Sequence, residues 1–174
     1  MPQDPAEALR RVLRTSRLNG WSVAVCAGLC ALVSLAFGEL AGASIGILVS
    51  AGGALEIYGN RRLRRRDPGG VRWLVRSQLV VLAAIGAYAS ARLFSFDPEY
   101  VREIITPSMR ASLDEMGLTA DEIIPLVSRA FHLLYGGLLL VTLLYQGGVA
   151  LYYRRQARAV AEALNPPPLL PPRI

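Results

Sequence analysis

Four stretches of this chain are each about as long and as apolar as the core of a lipid bilayer requires. They comprise residues 19–37, 40–58, 73–93 and 130–153. A helix that crosses a bilayer needs about 20 mainly apolar residues, and a backbone in lipid must satisfy its own hydrogen bonds, so each stretch is predicted to be a helix. The alternative is a soluble all-α domain with buried helices, but such a domain rarely carries four nearly uninterrupted apolar runs.

The sequence therefore predicts an all-α, polytopic integral membrane protein whose four transmembrane helices form an antiparallel bundle. Residues 1–18 are predicted to form a cytoplasmic amphipathic arm, 19–164 the transmembrane domain and 165–174 a proline-rich cytoplasmic tail. The first apolar stretch could instead be a cleavable signal peptide. We expect it to be retained, because it is longer than the usual apolar core of a signal peptide and turns directly into a second span.

Charged residues predict the orientation of the chain. Fifteen of the nineteen arginines lie in the N-terminal arm, the connection between the second and third stretches, and the C-terminal tail, whereas eight of the thirteen acids lie on the opposite side. Because positive residues are retained on the cytoplasmic side, both termini are predicted to be cytoplasmic. The absence of lysine suggests a GC-rich bacterial source, so we expect a bacterial cytoplasmic (inner) membrane.

The segment 95–129 is predicted to form a short amphipathic helical cap between the third and fourth spans. Two short helices, at about 98–105 and 107–116, are each preceded by a capping residue, Asp97 or Thr106, followed by a proline. A capping box at 119–122 then begins a helix that should continue through the fourth span to about Leu164.

Small residues predict where helices approach one another, because close packing in lipid depends on side chains that let backbones meet. The second span carries the helix-packing residues Gly42, Gly46, Ser50 and Gly53. They could pack within the chain, form a homo-oligomer interface or line a pore. In the fourth span two glycine pairs, 136–137 and 147–148, lie eleven residues apart and share one helix face.

Glu56 is the acid within the predicted spans, where it costs about 2.5 kcal/mol or more if it truly lies in hydrocarbon. We expect Glu56 to meet Arg76, with Gln78 nearby, as an intramembrane polar pair. The pair could fix the register of two helices or form a proton or cation site. A second, outer polar cluster is predicted from Glu39, Arg92, Arg129 and His132.

The basic run at 61–66 lies next to a predicted span on the cytoplasmic side. Its arginines are candidate contacts for anionic lipid headgroups or for a protein partner, although they could act only as a topology anchor. They are Arg61, Arg62, Arg64, Arg65 and Arg66. Nucleic acid is not an expected partner, because the segregation of charge by membrane side already accounts for the net charge of +6.

The function predicted from these patterns is a non-enzymatic structural or accessory subunit that self-associates or binds another membrane protein. The alternative is a small ion or solute channel or transporter with a polar site near Glu56 and Arg76. No catalytic residue, cofactor or metal site is expected, because one histidine, two cysteines and no paired carboxylates in the spans offer little chemistry. Cys26 and Cys30 are expected to be small apolar fillers.

Overall fold

The computed structural model describes residues 4–165, at Ala120 the backbone only, and those residues fold into six α-helices. The predicted proline-rich tail lies, from residue 166 onward, outside the described residues. The helices are α1 (Pro5–Ala36), α2 (Leu40–Arg64), α3 (Gly70–Phe94), α4 (Pro98–Ile104), α5 (Pro107–Glu115) and α6 (Ala120–Leu164). The predicted arm and first span are one continuous helix, α1, and α6 reaches Leu164 as predicted.

The helices begin at the capping residues that the sequence contains. The Asp4 side chain accepts a hydrogen bond from the Ala6 backbone nitrogen at 3.0 Å, and the Asp97 side chain accepts one from Glu99 at 2.9 Å. In the capping box before α6, the Thr119 backbone nitrogen donates to the Glu122 carboxylate at 2.8 Å. Such caps satisfy backbone groups that have no partner inside the helix.

Two turns depend on glycine. Gly38 lies in the turn between α1 and α2 with φ +72°, and Gly117 lies in the turn between α5 and α6 with φ +70°. Side chains other than that of glycine are strained in this left-handed region, so glycine is the residue expected at both places.

The chain divides into two compact units. Unit one contains the chain up to Ile85 and again from Leu143, and unit two is Gly86–Thr142. Helices α3 and α6 therefore each contribute residues to both units. The core of unit one is a cluster of buried apolar side chains from all four long helices: Val12, Leu63, Val71, Leu74, Tyr153, Val160 and Leu164.

Within unit one, α1 and α2 approach at the level of their backbones. A methyl group added at Gly53 would lie 2.5 Å from the Ala24 backbone nitrogen, and one added at Gly46 would lie 2.9 Å from the Ala27 carbonyl oxygen. The Ser50 hydroxyl donates to the Ala24 carbonyl at 3.0 Å. The small residues of the second span therefore pack within the chain, which was one of the predicted possibilities.

The opposite side of α2 packs closely on α3. A methyl group at Gly59 would lie 3.0 Å from the Gly70 carbonyl oxygen, and the space next to Gly52 is filled by the Val81 side chain. Glycines on both sides of α2 thus let it sit close to two neighbours at once.

Unit two contains an aromatic cluster and the cap. The rings of Phe96 and Phe131 lie 5.2 Å apart, and those of Tyr88 and Tyr135 lie 6.0 Å apart, both in tilted or edge-on arrangements. In the cap, Val101 and Ile105 are buried, whereas Met109 and Met116 are exposed.

Four helices are long and apolar enough to cross a membrane: α1, α2, α3 and most of α6. Only 6–33% of the residues in their most apolar stretches are buried inside the protein. Large apolar side chains such as Leu32, Leu133 and Leu144 are exposed. Soluble monomers rarely expose apolar surface on this scale, so these faces require lipid or a partner.

The close approach of α1 and α2 generates a first prediction. Gly53→Ala should destabilise the protein by about 1–3 kcal/mol, because a methyl group against a backbone nitrogen forces the helices apart. Gly28→Ala is the matched control, since its methyl would meet only the Ser50 hydroxyl at an ordinary 3.5 Å. Thermal unfolding in a mild detergent measures both variants. Equal stabilities of the two would contradict the backbone contact.

Candidate functional site

A buried polar cluster surrounds Glu56 in unit one. Glu56 itself is 1% exposed. One carboxylate oxygen accepts a hydrogen bond from the Tyr153 hydroxyl at 2.6 Å, and the other accepts one from the Asn19 amide at 2.7 Å. The side chain of Gln78 lies near the carboxylate, and its amide nitrogen donates to the Ser77 hydroxyl at 3.2 Å. The two donors come from α6 and α1, so the single carboxyl group of α2 is linked to two neighbouring helices.

The donor on α1 is itself held in place. The Asn19 amide oxygen accepts a hydrogen bond from the Tyr145 hydroxyl at 2.9 Å. Tyr145 and Tyr153 both lie on α6, about two turns apart, so that helix contributes one hydroxyl to Asn19 and another to Glu56. Tyr145 donates to the Asn19 amide oxygen, so the Asn19 amide nitrogen is turned toward Glu56 and donates to its carboxylate.

A second polar layer lies one turn further along α2, at Asn60. The Asn60 amide nitrogen donates to the Leu13 carbonyl oxygen and to the Ser16 hydroxyl, both at 2.7 Å. Its amide oxygen accepts a hydrogen bond from the Arg64 Nε at 3.0 Å. Asn60 therefore links the N-terminal half of α1 to Arg64 at the end of α2, in a layer separate from the hydrogen bonds of Glu56.

Two buried amide oxygens, those of Gln78 and Gln146, have no hydrogen-bond partner among the described residues. Gln78 and Gln146 are 1% and 6% exposed, respectively. An unsatisfied buried acceptor costs about 1–3 kcal/mol, so each position favours a further hydrogen-bond donor or a cation.

The structure does not form the predicted pair between Glu56 and Arg76. The Arg76 guanidinium lies over the ring of Trp73, 5.3 Å from its centroid, and the side chain is exposed. Gln78, which does lie near Glu56, is two residues further along α3. Because successive residues on a helix are about 100° apart, residues 76 and 78 point in nearly opposite directions and only one of them can face α2.

Sequence reasoning missed most of the partners of Glu56. Tyr153 stands next to Arg154, a position that also suits a tyrosine at a membrane boundary, and Asn19 stands at the start of an apolar run. A signal was nevertheless present, because an amide at the start of one span and an acid at the end of the next lie at similar depth in two antiparallel helices.

The residues of the predicted outer polar cluster divide between the units. Glu39 belongs to unit one, whereas Arg92, Arg129 and His132 belong to unit two. The Arg92 Nε donates to the Tyr88 hydroxyl at 3.3 Å. The His132 Nδ1 lies 2.7 Å from the Ser128 carbonyl oxygen, and its ring packs against Phe96 and Phe131.

The arginines of the predicted basic run have different surroundings. Arg62 bonds to Asp67 in the α2–α3 turn, with its Nε 2.6 Å from the carboxylate. The Gly69 backbone N–H and the Arg62 guanidinium together hold the pKa of Asp67 below its usual range. Arg61 and Arg64 instead line a groove between α1 and α2, and Arg65 and Arg66 are exposed.

The cap carries an apolar cleft of about 370 Å³ within unit two. It is lined mainly by Ile, Leu, Met and Val side chains, among them Ile104, Met109 and Met116. Such a surface could receive an apolar group.

The polar cluster generates a second prediction. Tyr153→Phe should destabilise the protein by about 1–3 kcal/mol, because it leaves a buried carboxylate oxygen without its donor. Tyr58→Phe removes the same hydroxyl from a half-exposed ring on α2 and should have little effect. Unfolding curves of both variants in detergent would test this. A Tyr153→Phe protein as stable as Tyr58→Phe would contradict the hydrogen bond to Glu56.

Chemically, the cluster is a carboxyl group held by neutral donors, with unsatisfied amide oxygens in the same unit. Among residues 4–165, no three side chains of His, Cys, Asp or Glu come together as a metal site would require. Cys26 and Cys30 are both exposed free thiols on α1. A scan against protein-family models and searches of curated proteins and of solved structures found no match for this chain.

Proposed function

We propose that this chain is a non-enzymatic, multi-pass membrane subunit that self-associates through α6. It would lie in a bacterial cytoplasmic membrane as four antiparallel transmembrane helices, with both termini and the arginine-rich connection between α2 and α3 on the cytoplasmic side. The exposed apolar faces of its four long helices and the uneven distribution of arginine support this placement.

One observation about glycine supports self-association. Each helical glycine of α1, α2 and α3 has another part of the chain within 4 Å of the place where a methyl group would stand. Among the residues that the structure describes, none comes within that distance of the four glycines of α6. They are Gly136, Gly137, Gly147 and Gly148.

Glycine within a helix costs about 1 kcal/mol relative to alanine, so its presence calls for a compensating contact. For α2 that contact is internal to the chain. For α6 a second copy of the chain would provide it, because small residues let helices in lipid pack closely. A structural role for the Glu56 cluster fits this proposal, since the hydrogen bonds that join α1, α2 and α6 would make a rigid subunit.

The test adds bulk to α6 without touching the interior. Gly137→Leu/Gly148→Leu should weaken association by at least about tenfold, equivalent to about 1.4 kcal/mol, because leucine at these exposed positions prevents close approach. Ala51→Leu/Ala54→Leu is the matched control, since both alanines are exposed on α2. Analytical ultracentrifugation in detergent and energy transfer between labelled chains in liposomes measure the association. A monomeric wild-type protein at all lipid ratios would overturn the proposal.

A second candidate function, ion or solute transport, is favoured by the unsatisfied amide oxygen of Gln78 close to Glu56. A carboxylate beside a spare carbonyl-type oxygen is a suitable environment for a proton relay or a small cation. The other polar groups of the cluster are hydrogen-bonded to one another, which supports a structural role instead.

Flux through purified protein in liposomes separates the two functions. Under imposed proton and salt gradients, the preferred proposal expects no flux above empty liposomes for either wild type or Glu56→Gln. It also expects Glu56→Gln to be less stable. The carboxylate accepts hydrogen bonds from Asn19 and Tyr153, and the new glutamine would turn its NH₂ group toward one of these donors. Flux that is present in the wild type and lost in a folded Glu56→Gln protein would establish transport instead.

A further inference from the structure

A groove lined by arginine runs between the N-terminal half of α1 and the end of α2. It consists of two adjoining cavities, of about 150 and 480 Å³, that share Arg17 and Arg64. Arg61 lines the smaller cavity, and Arg10 and Arg14 line the larger one. Three of these arginines lie on α1, outside the basic run that the sequence singled out.

The groove has a strong excess of positive charge. Its lining includes five arginines and no acidic residue. Other arginines of the described chain form ion pairs, among them Arg11, Arg62, Arg102 and Arg158. Five guanidinium groups around one space repel one another, and an anion between them would remove that repulsion.

One of the arginines is held in position by the protein interior. Asn60, which is 4% exposed, accepts the hydrogen bond from Arg64 and is itself fixed by Ser16 and the Leu13 carbonyl. Arg64 can therefore present its remaining N–H groups to the groove without losing much conformational freedom. Planar guanidinium groups of this kind match the oxygens of a phosphate.

The groove also has apolar side chains, at the end that adjoins the long apolar stretch of α1. Trp21 lines the smaller cavity and Leu18 the larger one, and both are more than half exposed. Tryptophan favours the boundary between headgroups and hydrocarbon. An anion that binds here would thus have its charge against arginine and an apolar portion against Trp21 and Leu18, which describes a phospholipid better than a free phosphate.

We propose that the α1–α2 groove is a binding site for an anionic phospholipid. The phosphate would lie between Arg17 and Arg64, Arg14 would contact the headgroup, and an acyl chain would pass along Leu18 and Trp21. Basic pockets between helices at the cytoplasmic boundary are known to suit such headgroups. The site rests on the membrane insertion included in the proposed function, but not on self-association.

Trp21 provides the measurement, because the chain has only two tryptophans. In a Trp73→Phe background, Trp21 fluorescence reports contact with brominated lipids. The protein is reconstituted in phosphatidylcholine vesicles that contain increasing fractions of brominated phosphatidylglycerol or cardiolipin. The quenching curves give the affinity of the anionic lipid relative to phosphatidylcholine at this position.

Three double variants each remove two positive charges. Arg14→Gln/Arg17→Gln and Arg17→Gln/Arg64→Gln change the groove, the former without touching the bond between Arg64 and Asn60. Arg65→Gln/Arg66→Gln is the matched control outside it. We expect the anionic preference at Trp21 to fall by about fivefold or more in both groove variants, since a guanidinium that contacts the headgroup contributes about 1 kcal/mol or more, or roughly fivefold. The control should retain the preference, because Arg65 and Arg66 do not line the groove beside Trp21.

The other outcomes overturn either the site or a separate part of the proposed function. An equal loss in all three variants would mean general attraction to the charged surface, and a wild type without preference would mean that no lipid is selected. Relief of quenching by millimolar inorganic phosphate would identify a free-phosphate site instead. Absence of quenching by brominated phosphatidylcholine as well would overturn membrane insertion itself, whereas a monomeric protein that still selects the anionic lipid would overturn only self-association.

Discussion

The close approach of α1 and α2 is the constraint on which the rest of unit one depends. Gly53 and Gly46 allow the two backbones to meet where any side chain would collide. Only at that separation can the short side chain of Asn19 reach Glu56, and that of Asn60 reach the Leu13 carbonyl. In lipid the hydrophobic effect does not hold helices together, so close packing and buried hydrogen bonds have to do so. The glycines therefore permit the close approach of α1 and α2, and the hydrogen bonds of the amides then stabilise it.

The choice of partners for Glu56 follows from the cost of burying charge. An arginine drawn into the interior would need its own desolvation and five satisfied N–H groups, whereas hydroxyl and amide donors bring little penalty of their own. Tyr153 and Asn19 each provide one short hydrogen bond from a different helix. Arg76 stays exposed over Trp73, where its charge remains hydrated. The carboxyl group thus links helices without a buried ion pair.

Local signals in the sequence predicted the elements well, and pairings between helices poorly. Capping residues such as Asp97 and Thr119 act within one turn, so they mark helix starts reliably. The face that α3 turns toward α2 depends on the rotation of a whole helix, which no local signal specifies. An error of about half a turn placed Arg76 against Glu56, whereas of these two residues it is Gln78, predicted to be nearby, that is buried and Arg76 that is exposed. Tyr153 was missed for a related reason, since a tyrosine beside Arg154 is equally suited to the membrane boundary and to the interior.

The buried cluster around Glu56 and the arginine groove lie on successive turns of α2. Arg64 lies at the surface of the groove, Asn60 behind it is buried, and Glu56 lies one turn deeper on the same helix. An anion held by Arg64 would fix that guanidinium, and with it the amide that joins α2 to Ser16 and Leu13 of α1. Lipid binding would therefore stabilise the same α1–α2 contact that the glycines permit. The composition of the bilayer would in this way contribute to the stability of the helix pair, even though the lipid touches only its edge.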